Sequence, residues 1–192
     1  MIENRRVDEY VKLTPGINQS RREKYGLNEC DEFYDQSSFE SDFENMTKSL
    51  FNNNEQIYDP AIFVNEGDIL ISNSMQLATV VSSNNAGKVL SLNFIKVEFD
   101  DTLLDKGYFI YIFNAFKGFQ RQKERESQGS GSVLRLTLTS ISRMIIPYPP
   151  FDKQRRIGES YLEMLNIQKH LRKYTTLIEQ LTLTIMEDNL ND

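Results

Sequence analysis

Three features of the sequence predict a mixed α+β fold: a compact, curled β-sheet with flanking helices, followed by one long C-terminal helix of the coiled-coil type. Short apolar runs recur between 61 and 99, the last of them, from 89, apolar mostly at every second position, and from 102 onward apolar residues recur at every third or fourth. The cluster Pro147-Tyr148-Pro149-Pro150 then separates these patterns from a last segment that contains no proline. At 192 residues and 39% hydrophobic, the chain can bury a core, which excludes global disorder.

The elements follow in order. Val11-Lys12-Leu13 reads as a short strand stopped by the turn pair Pro15-Gly16. Arg21-Arg22-Glu23-Lys24-Tyr25-Gly26 reads as a basic loop. The acidic, aromatic stretch from Tyr34 to Phe43 reads as a solvated loop, with a short helix capped by Ser37 or Ser38 as the alternative. A β-meander comes next. Ala61-Ile62-Phe63-Val64 is broken by Asn65-Glu66-Gly67-Asp68, then Ile69-Leu70-Ile71-Ser72 and Thr79-Val80-Val81 follow. The turn Asn84-Asn85-Ala86-Gly87 leads into a closing strand from Val89 to Phe99.

From Thr102 the spacing of Leu103, Leu104, Tyr108, Ile112, Phe113 and Phe116 predicts an amphipathic helix, running on through Phe119 to Glu126. Ser127-Gln128-Gly129-Ser130-Gly131-Ser132 stops it as a flexible loop, and residues 133–138 alternate like a strand. No helix or central strand crosses the prolines at 147, 149 and 150. The domain boundary is therefore set at 150, with residues 1–150 as one domain and 151–192 as a helical segment.

Asp152 offers an N-cap for that segment. Tyr161, Met164, Ile167, Leu171, Tyr174, Ile178, Leu181 and Ile185 step by three or four, close to a coiled-coil seam. A helix from 152 to 189 would be about 57 Å long at 1.5 Å per residue. A small domain cannot cover that length, so the seam predicts a partner helix, in a homodimer or on another chain.

Several chemistries are excluded. With Cys30 the lone cysteine and His170 the lone histidine, internal disulfides, cysteine-based zinc clusters and histidine metal sites lack their residues, and a Ser-His-Asp triad, which would have to use His170, is disfavoured. Tyr148-Pro149-Pro150-Phe151 superficially resembles the Asn/Asp-Pro-Pro-Tyr/Phe loop of adenine-N6 methyltransferases, but Tyr148 cannot accept from a target amine as that Asn or Asp does. Gly129-Ser130-Gly131 lacks the Gly-Lys-Ser/Thr of a phosphate loop. Asp100, Asp101, Asp105 and Lys106 cluster at a strand-to-helix turn, where aspartate is expected as a cap. His170 lies among Lys169, Arg172 and Lys173 and is expected to face solvent. No catalytic residue, cofactor or metal site is expected. No apolar run approaches the roughly 18 residues of a membrane span, and the first six residues lack a signal peptide's apolar stretch, so a cytoplasmic protein is expected.

The net charge of −6 is strongly segregated. Residues 28–66 hold 10 acidic side chains against the single Lys48, whereas residues 117–173 hold 12 basic against 5 acidic. Salt screens beyond about 8–10 Å, so a polyanion meeting the basic stretch responds to the local field rather than to the total. Arg21, Arg22 and Lys24 share one loop, and Asn73, Ser74 and Gln76 another. Arg121, Lys123 and Arg125 flank the serine-glycine segment, and Lys88 stands before the last strand of the meander. Arginine and amide side chains make bidentate contacts to base edges while lysine and arginine neutralise phosphates, so these ten are the candidate DNA contacts. An ordinary polar surface explains them equally well at this point.

Taken together, the motifs resemble the specificity (S) subunit of type I restriction–modification systems, in a half-length form with one target-recognition domain. The matching stretches are Lys12-Leu13-Thr14-Pro15-Gly16-Ile17-Asn18, Glu66-Gly67-Asp68-Ile69-Leu70-Ile71-Ser72 and, most specifically, residues 145–157. There an apolar pair precedes Pro147, Pro149 and Pro150, and Gln154 and Ile157 open the long helix. Residues 34–42 resemble one-domain members as well. The resemblance implies a non-catalytic, mixed α/β domain that reads one half of a bipartite site in double-stranded DNA. It also implies a helix that pairs with a second helix to set the spacing. The implied partners are a methylase subunit, which holds the cofactor and flips the adenine, and a restriction subunit. The alternative is a coiled-coil module for protein–protein interaction.

Overall fold

The computed structural model describes residues 3–49, 62–100, 102–127 and 135–191. Its centre is an antiparallel sheet built from β2 (Val11–Pro15), β4 (Ile69–Ser72), β5 (Leu77–Val80) and β7 (Phe94–Phe99), in the order β2-β7-β4-β5. Two short ladders flank it. β1 (Glu3–Arg6) pairs antiparallel with β8 (Ile145–Tyr148), and β3 (Phe33–Tyr34) pairs parallel with β6 (Val89–Leu90). The helices are α1 (Gln36–Ser49), α2 (Lys106–Asn114), α3 (Lys117–Glu126), α4 (Leu138–Arg143) and α5 (Phe151–Asn191).

Both faces of the sheet are covered. Successive side chains of a strand point to opposite faces. Ile69 and Ile71 therefore join Val80, Ile95 and Val97 under Tyr108, Phe109, Ile112 and Phe113 of α2. Leu70 points the other way, into a second core with Tyr34, Phe39, Val81, Leu90 and Phe94. The Glu66-Gly67-Asp68 motif is the entry turn to β4. Gly67 adopts a left-handed φ of 81°, and the Asp68 carboxylate accepts from Asn65 N at 2.7 Å and pairs with Lys96 Nζ at 2.6 Å.

Several sequence expectations need correction. The stretch from Tyr34 to Phe43 is helical from Gln36, because Phe39, Phe43 and Met46 face the cores. Its cap is Asp35, whose Oδ1 accepts from Ser38 N at 2.8 Å, rather than either serine. The basic stretch at 21–26 belongs to a 3₁₀ helix, Gln19–Tyr25, capped by Asn18 and ended by Gly26 at φ 67°. The 89–99 strand is interrupted at 91–93, where Phe94 N turns back to Ser91 O.

The helix expected from 102 to 126 is two helices, broken at Ala115 and Phe116. The first is capped by Asp105, which accepts from Tyr108 N at 2.7 Å. The strand expected at 133–138 is not formed at its end, where Thr137 caps α4. Val133, Leu134, Ala61 and residues 128–132 lie outside the described residues. α5 begins one residue before Asp152, and the carbonyl that receives Lys153 N and Gln154 N is that of Pro150. Pro147 lies opposite Asn4 in the two-stranded ladder, a setting that tolerates a missing donor.

α5 docks on α2 through its first turns. Gln154 is fully buried and satisfied at both amide atoms. Its Oε1 accepts from Asp105 N at 3.1 Å, and its Nε2 donates to Pro149 O at 2.9 Å and Leu103 O at 3.3 Å. One turn on, Gly158 meets Gly107. A Cβ on Gly158 would stand 2.5 Å from Tyr108 N, so glycine alone lets the two backbones approach. Leu162 is buried beyond it, and Tyr161 packs edge-on against Tyr111 at 5.5 Å. Lys169 Nζ then reaches Asn45 of α1 at 2.7 Å.

Candidate nucleic-acid interface

Strand register gathers the polar loops at one end of the sheet. Pro15 stands opposite Ile95, Ser72 opposite Phe94, and Ser72 opposite Leu77. The exit of β2, the entry of β7 and the β4–β5 hairpin tip at 73–76 therefore share an edge. The 3₁₀ helix carrying Arg21, Arg22 and Lys24 leaves from the same place. It is held there by Ile17 N donating to Leu90 O at 2.9 Å and by Gly16, where a Cβ would lie 2.1 Å from Ser91 O. Asn73 N donates to Asn93 O at 3.0 Å, and Asn73 O accepts from Leu136 N at 3.2 Å. Gln36 at the start of α1 donates to Met75 Sδ. The last turn of α3 reaches the tip as well, through Gln76 Nε2 donating to Ser127 Oγ at 3.0 Å.

Within this cluster the candidates divide. Arg21, Lys24, Ser74, Arg121 and Arg125 are exposed. Arg22 is turned to its own loop: its guanidinium donates to Glu29 O and Asp31 O at 3.4 Å and lies 5.5 Å over the Phe33 ring. Asn73 is half-buried, its Nδ2 donating to Leu92 O at 3.4 Å while its Oδ1 has no partner. Lys88 donates to Ser38 Oγ at 2.9 Å and lies 3.9 Å from Glu32, which ties it to the start of α1.

Lys123 must be removed from the exposed set. Only 2% of it is accessible, and its ammonium donates to Gln76 O at 2.7 Å and to Phe113 O. The reason is rotational. At 100° per residue, Arg121 and Arg125 share a helix face and Lys123 points to the other side. Burial brings the Lys123 amine down to about 7. Its helical setting could have been read from Phe119 four residues earlier, which is buried on the same side.

The predicted helical seam also divides. Tyr161 lies against the core and is not part of a free surface. Met164 is less than half exposed, whereas Ile167, Leu171, Tyr174, Ile178, Leu181 and Ile185 are each more than half exposed, as are Leu183, Met186 and Leu190. His170 is exposed. Among the described residues no helix is long and apolar enough to cross a membrane, and no three His, Cys, Asp or Glu side chains gather as metal ligands do.

No curated protein matches the chain in sequence. Several solved structures share its fold. A chain from a structural study of complex assembly and conformational transition in the type I R-M system superposes with a TM-score of 0.60 at 18% identity, over 96% of this chain and 43% of that one. The type I restriction-modification S subunit from M. genitalium gives 0.53 at 14% identity, over 93% and 42%. The HsdS subunit from Thermoanaerobacter tengcongensis gives 0.54 at 17%, over 90% and 39%. The chain thus spans less than half the length of the structures it matches. In sequence, the match to the type I restriction modification DNA specificity domain runs from residue 29, beside the loop-bearing end of the sheet, to residue 184, well into the bare part of α5. It takes in the elements from β3 onward and most of α5, and the chain belongs to that family.

Proposed function

We propose that this chain reads one half of a bipartite DNA site for a type I restriction–modification complex and performs no covalent chemistry itself. Residues 1–150 form the reading head, and 151–192 form the spacer that meets a second helix. One observation carries the reading: Arg21, Lys24, Asn73 and Ser74 converge on a single end of the sheet, with Arg121 and Arg125 on the adjoining helix. That set combines phosphate-neutralising and base-reading side chains on a rigid scaffold.

α5 supports a dimer. The segment 174–192 carries four acidic and no basic residues, while 151–173 carries six lysines and arginines against three acids. An antiparallel pair sets each acidic tail on the other copy's basic half. A two-fold axis between Arg172 and Lys173 brings Leu171 opposite Tyr174, Ile167 opposite Ile178 and Met164 opposite Leu181, so the exposed seam covers itself. The two heads then stand at opposite ends and favour a palindromic, interrupted site. The methylase and restriction subunits would dock on this dimer.

The test uses the full chain purified with its methylase and a random-sequence duplex library. Selective protection of a two-part site, weakening steeply with salt, supports the reading. Uniform protection of all sequences, or none, refutes it and favours the protein-interaction module.

A further inference from the structure

We infer that Lys123 is a positioning residue for DNA reading: it fixes the shape of the 73–76 hairpin tip and so determines which bases that tip accepts. The inference rests on the assignment of the tip to DNA. The lysine itself cannot touch a phosphate, because its ammonium is enclosed by the Phe113 ring, 4.0 Å away, and the Phe119 ring, at 5.8 Å.

A buried ammonium is costly to desolvate, and no carboxylate among the described residues pairs with this one. A methionine would fill the same space with less cost in solvation. What lysine adds is hydrogen-bond donation to two carbonyls on different elements, Phe113 near the end of α2 and Gln76 at the end of the hairpin tip.

Gln76 is also the one described non-glycine residue with a positive φ, 55°, a conformation that needs support from its surroundings. The last turn of α3 supplies that support at both ends of the residue. Lys123 holds the Gln76 carbonyl. Ser127 Oγ accepts from the Gln76 side-chain amide and donates to the Lys123 carbonyl at 2.6 Å. At the other end of the tip, Asn73 is fixed to Asn93 and Leu136. Only four residues lie between β4 and β5, so fixing both ends fixes the direction in which Ser74 presents its hydroxyl and Asn73 its amide nitrogen, the Asn73 Oδ1 being buried. Discrimination between bases depends on that direction, since a hydrogen bond to a base edge tolerates little displacement.

The experiment compares wild type with Lys123→Met and Ser127→Ala, each as the full chain with its methylase. Hydrogen exchange is followed at residues 74–78, and affinities are measured for the sequences that wild type selects from a random duplex library and for unselected duplex. Lys123→Met should speed exchange at 74–78 at least tenfold and lower the selected-to-unselected affinity ratio at least tenfold. The salt slope on unselected duplex should stay unchanged. Ser127→Ala should fall between the two.

An unchanged affinity ratio in Lys123→Met, or a shallower salt slope, overturns the inference. Should Lys123→Met fail to fold, an unchanged ratio in both Ser127→Ala and Gln76→Gly overturns it instead. A wild-type complex that selects no sequence removes the DNA-reading function, whereas unchanged exchange at 74–78 in the variant refutes the clamp independently of DNA.

Discussion

In the first half of α5, Gln154, Gly158 and Leu162 are buried against α2; in the second half, Leu171, Ile178 and Leu181 stand in solvent. Both halves carry apolar residues at steps of three and four. Periodicity therefore reports that a face is apolar but not what covers it. The docked half is distinguished by two other residues, a glycine that permits backbone contact and a glutamine whose amide answers three backbone groups. The bare half has neither, and its long apolar side chains suit knobs-into-holes packing with a second helix.

The sharpest way to break this contrast is Gly158→Val, which drives a side chain into the backbone of Tyr108 and Gly107, atoms that cannot move aside. We expect a loss of about 3 kcal/mol or more in urea denaturation, or failure to fold. A midpoint equal to wild type would show that the crossing is loose. Gln154→Ala leaves Asp105 N and the Pro149 carbonyl unanswered in a buried place, and should cost about 2–3 kcal/mol by the same measurement.

In the bare half the prediction has the opposite form. Leu171→Asp should leave the unfolding midpoint of the head unchanged while weakening self-association at least a hundredfold, because it buries a charge in the apolar seam. Sedimentation that still shows a dimer would place the seam elsewhere.

Smaller effects test the loop-bearing end. Lys123 binds its proton less tightly folded than unfolded, so folding stability should rise with pH from about 7 toward the ordinary lysine range. The slope reaches at most about 1.4 kcal/mol per pH unit, and this group contributes none below 7. The neutral amine keeps two N–H groups for its two carbonyls, so the clamp survives deprotonation. Lys123→Met should lack that slope; a slope as steep as wild type would assign it to other groups. Replacing Arg121 and Arg125 together by alanine should reduce the log–log salt slope of DNA binding by about 2. An unreduced slope would take that face of α3 off the DNA.

Much of the fold was legible because burial is periodic: the strands at 69–72 and 94–99, the apolar face of α2 and the long helix all carry their pattern locally. β1 does not. Glu3-Asn4-Arg5-Arg6 is polar and exposed and becomes a strand through pairing with residues 145–148, far away in the chain. α1 stood only as the alternative to a solvated loop, because its acids outweigh the helical spacing of Phe39, Phe43 and Met46.

At the candidate site the residue types were legible and their directions were not. Arg121, Lys123 and Arg125 look alike in a row, and only the helix turn sends the middle one inward. Arg22 looked as available as Arg21 until the carbonyls of Glu29 and Asp31 claimed it.

The anchor of α5 grips Leu103, Asp105 and Gly107, which follow the exit of β7, whereas the hairpin tip and the 91–93 turn leave from the entry of that strand. Loops at one end of the sheet can therefore be exchanged between relatives without disturbing the joint at the other. On the proposed reading, a graft of residues 73–76 and 91–93, taken with the α3 turn that holds them, would change the sequence selected and leave the seating of α5 as it was.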